Sequence, residues 1–138
     1  MSGNGNSGRG NCNPASASVF IVEDEAIIAQ DVRMTLEGMG YRVSGMASSG
    51  EESVRRVGAL RPDLVLMDLK IKGSIDGLQA GGEILSRFRI PVVFMTAYTD
   101  PLSMDASFRE RRTPWIRKPF DARELREALE GSLLRGCN

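Results

Sequence analysis

The chain has 138 residues, a length that favours one domain. Lys plus Arg and Asp plus Glu number 18 each, and the zero formal net charge argues against a nucleic-acid binder held by a basic surface. No apolar run approaches the ~18 residues of a membrane span, and the chain opens without the apolar stretch of a secretory signal. Histidine is absent, which removes Ser-His-Asp and Cys-His catalysis, His-ligated zinc and phosphohistidine carriage. Cys12 and Cys137, one near each end, have neither a CxxC partner nor metal-ligand spacing. A reducing cytoplasm and two free thiols are the expectation.

Residues 1–18 are rich in Gly, Asn and Ser and carry almost nothing that buries, so they are expected to be a flexible tail. The domain is expected over 19–134, with a short tail at 135–138. Val19-Phe20-Ile21-Val22 reads as a buried strand. Ala26 to Met39 follows with Ile28, Val32, Leu36 and Met39 at helical spacing, closed by Gly40. Tyr41 to Met46 is a second strand, less apolar and therefore expected at an edge. Ser49-x-x-Glu52 has capping-box form and opens a helix to about Leu60, stopped by Arg61-Pro62-Asp63. Leu64 to Met67 is the third strand. A loop from Lys70 to Gly77, broken by Gly73 and Gly77, leads to a helix from Asp76 or Gly77 to Phe88. Pro91 to Met95 is the fourth strand, and a weakly amphipathic fourth helix is expected from Asp100 to about Arg111. Trp115-Ile116-Arg117 is a short fifth strand, and Asp121-x-x-Glu124 caps a last helix through Leu134.

Five β-α repeats with continuously apolar strands imply a parallel sheet covered on both faces. Right-handed crossovers make it a doubly wound open α/β sheet, whose ligands sit beyond the carboxyl ends of the strands. At those ends stand Glu23-Asp24-Glu25, Asp68, Thr96 with Ala97, and Lys118-Pro119. Taken singly, each has an ordinary reading as a turn, cap or solvated residue. Together they place acids, a hydroxyl and a lysine in one crevice. Carboxylates so crowded must protonate or bind a hard cation, and oxygen donors with room for water suit Mg²⁺. A cation beside Lys118 makes a site for a phosphoryl group. Asp68, ending the central strand, is the expected nucleophile, since a carboxylate can form an acyl phosphate. Thr96 can donate to a phosphoryl oxygen.

The segments Phe20-Ile-Val-Glu-Asp-Glu25, Val65-Leu-Met-Asp-Leu69, Val93-Phe-Met-Thr-Ala97 and Arg117-Lys-Pro-Phe120 resemble the receiver domain of two-component response regulators, over about Ser18 to Leu134. The loop Lys70-Ile-Lys-Gly-Ser-Ile-Asp-Gly77 resembles that of receivers found alone or attached to sensor kinases. The resemblance implies a flavodoxin-like fold with strand order 2-1-3-4-5, one of the standard doubly wound orders. It makes Asp68 the residue phosphorylated by a histidine kinase or a histidine phosphotransfer protein. It makes Asp24 a direct Mg²⁺ ligand, with Asp68 and the backbone carbonyl of Lys70, and Glu23 the holder of a metal-bound water. Thr96 and Lys118 become the hydroxyl and ammonium that meet the phosphoryl group, and Lys118-Pro119 a cis bond. The implied output is a protein-interaction surface on the fourth and fifth predicted helices and the fifth strand, meeting a downstream protein. Neither nucleic acid nor membrane is a direct partner, and a homodimer is compatible with this. Only 20 residues follow Lys118, so output is expected through protein contacts or onward phosphotransfer.

Three features depart from the family pattern. Trp115 stands where receivers carry the Tyr or Phe that swings inward on activation, and reads equally as a packing residue. Arg109-Glu-Arg-Arg112-Thr-Pro114 replaces the usual small lead into the fifth strand, as a basic edge or a solvated face. Lys70 and Tyr98, two residues beyond Asp68 and Thr96, occupy positions that tune phosphoryl lifetime. Other classes fit less well. A flavin site would need a Ser/Thr/Gly-rich loop after the first strand. A haloacid-type phosphatase would want a second acid where Lys70 stands. The main alternative is a degenerate receiver working as an unphosphorylated interaction module. A bulky Tyr98 is expected to obstruct the attacking water, so Tyr98→Asn is expected to shorten the lifetime of the phospho-form. Equal decay rates of the two phosphorylated proteins would contradict this.

Overall fold

The computed structural model describes residues 16–97 and 114–136. Their order is β1 (Ser18–Val22), α1 (Ala26–Gly38), β2 (Arg42–Ala47), α2 (Gly50–Leu60), β3 (Leu64–Asp68), α3 (Gly77–Phe88), β4 (Val92–Ala97), β5 (Trp115–Lys118) and, in the numbering used here, α4 (Ala122–Gly136). The strands form one sheet, β2-β1-β3-β4-β5, with every pairing parallel. The expected doubly wound order is therefore the observed one, with β2 at an edge.

Alternate residues of each strand feed opposite faces, which is why the inner strands are apolar throughout. On one face Val19, Ile21, Leu64, Leu66, Val93 and Met95 pack with Val32 and Leu36 of α1 and Leu125 and Leu129 of α4. On the other, Phe20, Val22, Val65, Met67, Val92 and Phe94 pack with Val54 and Val57 of α2 and Ala80 and Ile84 of α3. Among the described residues, no helix is long and apolar enough to cross a membrane.

Several boundaries differ from the expectation, each for a physical reason. β1 starts at Ser18, and Ala17, counted with the tail by composition, is buried. Asp63 draws this stretch in: its carboxylate accepts the Ser18 N–H at 2.8 Å, and its N–H donates to the Ser18 carbonyl at 3.0 Å. Thr96 lies within β4 and Lys118 within β5, because the ladder continues through Thr96↔Arg117 and Ala97↔Lys118. Apolarity ends before the hydrogen bonding does. Ser49 caps α2 by accepting the Glu52 N–H, but the Glu52 carboxylate accepts from Ser48 instead of Ser49, so the box is one-sided. Asp121 and Glu124 form the complete reciprocal box. So do Asp76 and Gln79, whose spacing carries the same signal. α4 runs past Leu134 to Gly136. Cys12, most of the expected tail, Tyr98, the expected helix at 100–111, the basic stretch 109–112, Thr113 and Cys137 lie outside the described residues.

α3 lies close to the sheet because Gly81 lets it. A Cβ on Gly81 would stand 2.5 Å from the tip of the buried Phe94 ring, whereas one on Gly82 would meet nothing within 4 Å. Gly82→Ala is expected to stabilise the domain by about 0.5–1 kcal/mol through helix propensity. Gly81→Ala is expected to destabilise it by about 1–2 kcal/mol, overpacking outweighing the same propensity gain. Urea unfolding of the two variants checks the opposite signs.

Candidate functional site

The parallel sheet brings the carboxyl ends of its strands to one edge. There β1 hands over to Glu23 and Asp24, β3 ends at Asp68, β4 carries Thr96, and β5 ends at Lys118. One carboxylate oxygen from each of Glu23, Asp24 and Asp68 lies within 4.8 Å of the other two. The crowding expected from the sequence is thus real. The Lys118 Nζ sits 3.1 Å from Glu23 Oε1 and 3.3 Å from Asp68 Oδ2, one ammonium shared by two acids.

The remaining oxygens are held by the backbone. Glu23 Oε2 accepts the Glu25 N–H at 3.2 Å, and Asp68 Oδ1 accepts the Lys70 N–H at 3.1 Å. Asp68 is therefore gripped on both oxygens. Asp24, half-buried, has no hydrogen-bond or ion-pair partner among the described residues. Thr96 is fully buried, and its Oγ1 has no hydrogen-bond partner among the described residues. It lies one residue beyond Met95, the partner of Asp68 in the β3–β4 ladder. Lys118-Pro119 is cis, as the resemblance implied.

Burial sets the electrostatics. The Glu23 side chain is withdrawn from solvent. Desolvation first, then hydrogen bonding to Asp68 and its negative charge, raise the Glu23 pKa from 4.5 to about 7 against the opposing pull of Lys118. Burial works against the Lys118 charge, but Asp68 and Glu23 outweigh it and hold the ammonium above its ordinary range.

Trp115 lies apart from this group. It opens β5, three residues or about 10 Å of strand before Lys118. It is partly buried against the Phe20 and Phe94 face of the core, and the Arg117 guanidinium lies 5.6 Å from its ring centroid. This matches its reading as a packing residue. Lys70 is exposed and reaches the cluster through its backbone N–H. Sequence reasoning passed over Glu51, which accepts from Ser74 in the loop beyond Asp68. The two lie 23 positions apart and are both exposed, so no local spacing marks them.

Comparison with known proteins identifies the architecture. The model of the response regulator receiver domain matches residues 19–130. The chain belongs to the response regulator receiver family. This receiver is 34% identical over 117 residues to the transcriptional regulatory protein PdtaR of Mycobacterium tuberculosis, covering 85% of the chain and 57% of that protein. It is 32% identical over 121 residues to the phyllosphere-induced regulator PhyR of Methylorubrum extorquens, covering 86% and 44%. It spans about half the length of these curated relatives. Among solved structures it resembles the signal receiver domain of a modulated diguanylate cyclase from Desulfovibrio desulfuricans, with TM-score 0.79, 31% identity and coverage of 88% and 96%. The PhyR receiver domain of Erythrobacter litoralis gives TM-score 0.73, 29% identity and coverage of 86% and 90%. Receivers are phospho-acceptor regulatory domains of two-component signalling, not enzymes in the ordinary sense.

The raised Glu23 pKa makes a pH prediction for the metal-free receiver. Between about 4.5 and about 7 the folded state holds a proton that the unfolded state has released. Stability from this residue is full below 4.5 and is lost as pH rises through 7. The melting temperature is expected to fall across that window, and Glu23→Gln, which cannot ionise, is expected to flatten the slope. Parallel melting curves of parent and variant from pH 4.5 to 8 would contradict it.

Proposed function

We propose that this receiver accepts a phosphoryl group from a phosphohistidine onto Asp68, in a Mg²⁺-dependent reaction, and thereby switches a protein-interaction surface. Thr96 Oγ1 carries the reading. A buried hydroxyl without a partner costs about 1–3 kcal/mol, and a phosphoryl oxygen arriving at Asp68 would satisfy it.

The donor set fits the cation. Glu23, Asp24 and Asp68 supply hard oxygen donors close together, and Asp24 is committed to no other contact among the described residues. Asp24, Asp68 and the Lys70 carbonyl would hold Mg²⁺, with Glu23 acting through a water. When bound, the ion neutralises charge that develops on the transferring phosphoryl group. An Asp68 oxygen attacks phosphorus, the O–P bond forms, the P–N bond to the donor imidazole breaks, and the imidazole keeps the nitrogen electron pair. Lys118, already between Glu23 and Asp68, would pair with the product dianion, and the Thr96 hydroxyl would donate to one of its oxygens. The donor would be a histidine kinase or a histidine phosphotransfer protein of the cytoplasm. The surface would lie on β5, α4 and the segment 100–111, biased as other phosphorylation switches are. A downstream protein would read it. Lys70 and Tyr98 would set how long the phospho-form lasts.

Full-length protein given Mg²⁺ and acetyl phosphate is expected to gain the mass of one phosphoryl group. Asp68→Asn, or chelation of the metal, is expected to abolish the gain. No gain in the parent would favour the unphosphorylated interaction module. Thr96→Val is expected to raise the stability of the unphosphorylated domain by about 1 kcal/mol by removing the unpaired hydroxyl. Phosphorylation of the parent is expected to change the fluorescence of Trp115, and the same variant is expected to lose that change. A destabilised variant that keeps that change would contradict the role given to Thr96.

A further inference from the structure

The loop between Asp68 and α3 is closed at its base and clasped at its middle. Gly77 N–H donates to the Leu69 carbonyl at 3.1 Å, and a Cβ on Gly77 would overlap the Asp68 carbonyl oxygen, so the loop returns onto the residue it left. Further out, Gly50 N–H reaches the Lys72 carbonyl at 3.3 Å. Next to it, Glu51 Oε2 accepts the Ser74 N–H at 2.5 Å and also the Ser74 hydroxyl. Gly73, at φ +115°, passes so close that any side chain there would strike the Glu51 carboxylate. The Ser74 donors hold the Glu51 carboxyl below its ordinary range, so it is ionised at neutral pH and its hydrogen bonds are charge-assisted.

This clasp contributes nothing to the core, since Glu51 and Ser74 are both exposed. Its consequence lies at the other end of the loop. Lys70 N–H holds Asp68 Oδ1 while Lys118 holds Oδ2, and these two donors set the plane of the carboxylate. Lys118 comes from a strand, fixed by the sheet. Lys70 comes from the loop, and beyond the closing Gly77–Leu69 bond the loop is tied down by α2 through Gly50 and Glu51.

We infer that Glu51 is a positioning residue for the acceptor, holding the 70–74 backbone so that the Lys70 N–H stays on Asp68 and the carboxylate keeps its orientation toward Asp24 and the cation. The inference rests on the acceptor reading of Asp68 given above. Residues that orient ligands from outside the contact shell typically change metal affinity by about 10–100-fold when removed.

The test uses the full chain and its Glu51→Ala, Glu51→Gln and Ser74→Ala variants, without metal and then titrated with Mg²⁺ by calorimetry. Glu51→Ala is expected to speed amide exchange at Lys70 and Ser74 by at least about 10-fold, leaving the sheet protected, and to weaken Mg²⁺ binding by about 10-fold. Glu51→Gln, which keeps an acceptor oxygen, is expected to fall between Glu51→Ala and the parent, and Ser74→Ala to shift both readouts in the same direction. Should Glu51→Ala not fold, the other two variants carry the comparison. Unchanged exchange at Lys70 overturns the inference. So does unchanged Mg²⁺ affinity beside a binding parent, and so does faster exchange spread evenly over the sheet, the mark of a purely structural role. A parent that binds no Mg²⁺ and gains no phosphoryl group overturns the acceptor reading and this inference together. A competent parent beside an indistinguishable Glu51→Ala variant overturns the positioning role alone.

Discussion

A single ammonium, that of Lys118, lies between Glu23 and Asp68 and makes the edge of this sheet tolerable. A parallel sheet gathers the ends of its strands at one edge whatever they carry, and here β1 and β3 deliver acids to it. Separated by only a few ångströms and partly withdrawn from water, those acids repel one another. The compensating charge arrives from β5, which is two strands from β3 in the sheet and 50 residues from Asp68 in sequence. Lys118 must therefore reach across β4. Its ladder partner there is Ala97, whose methyl leaves the way open. Strand order, a small residue on the intervening strand and a long cationic side chain thus act as one device.

The compensation is incomplete, and the shortfall is informative. The Glu23 carboxyl is held toward its neutral form even with Lys118 beside it, because burial and Asp68 together outweigh the ammonium. Among the described residues the Asp24 side chain has no hydrogen-bond or ion-pair partner, and the Thr96 hydroxyl is buried without one. Elsewhere the described polar groups are well served, as the reciprocal caps at α3 and α4 show. Natural folds tend to break their own rules where they work. The unmet needs among the described residues lie at the one edge where the carboxyl ends of the strands gather.

The sheet could be read from the sequence because its cause is local and repeated: five short apolar runs, each followed by a helix-forming stretch with a cap or breaker. Asp24, Asp68, Thr96 and Lys118 could be read because strand ends are where a doubly wound sheet binds ligands. What escaped has a common origin. Thr96 and Lys118 are strand residues by hydrogen bonding but interrupt the apolar pattern, so apolarity placed them just outside. Ala17 and Ser18 look like tail by composition and are drawn in by Asp63, a contact across 45 residues. Glu51 and Ser74 lie on separate elements, both exposed, and no periodicity points from one to the other. The Asp76-Gln79 box is different, since its spacing was present in the sequence and only its weight was missed.

Trp115 shows how a position can be tied to the rest of the fold without touching the site. In the β4–β5 ladder it is the partner of Phe94 and packs on the face that Phe94 shares with Phe20. Phe94 in turn fills the space that Gly81 leaves vacant on α3, with less clearance than a methyl group needs. Arg117 covers the outer side of the indole. Trp115 thus pairs with Phe94, Phe94 packs against Gly81 of α3, and the first residue of α3, Gly77, closes the loop beyond Asp68. The edge strand and the loop beyond Asp68 are thereby joined through packing contacts as well as through Lys118.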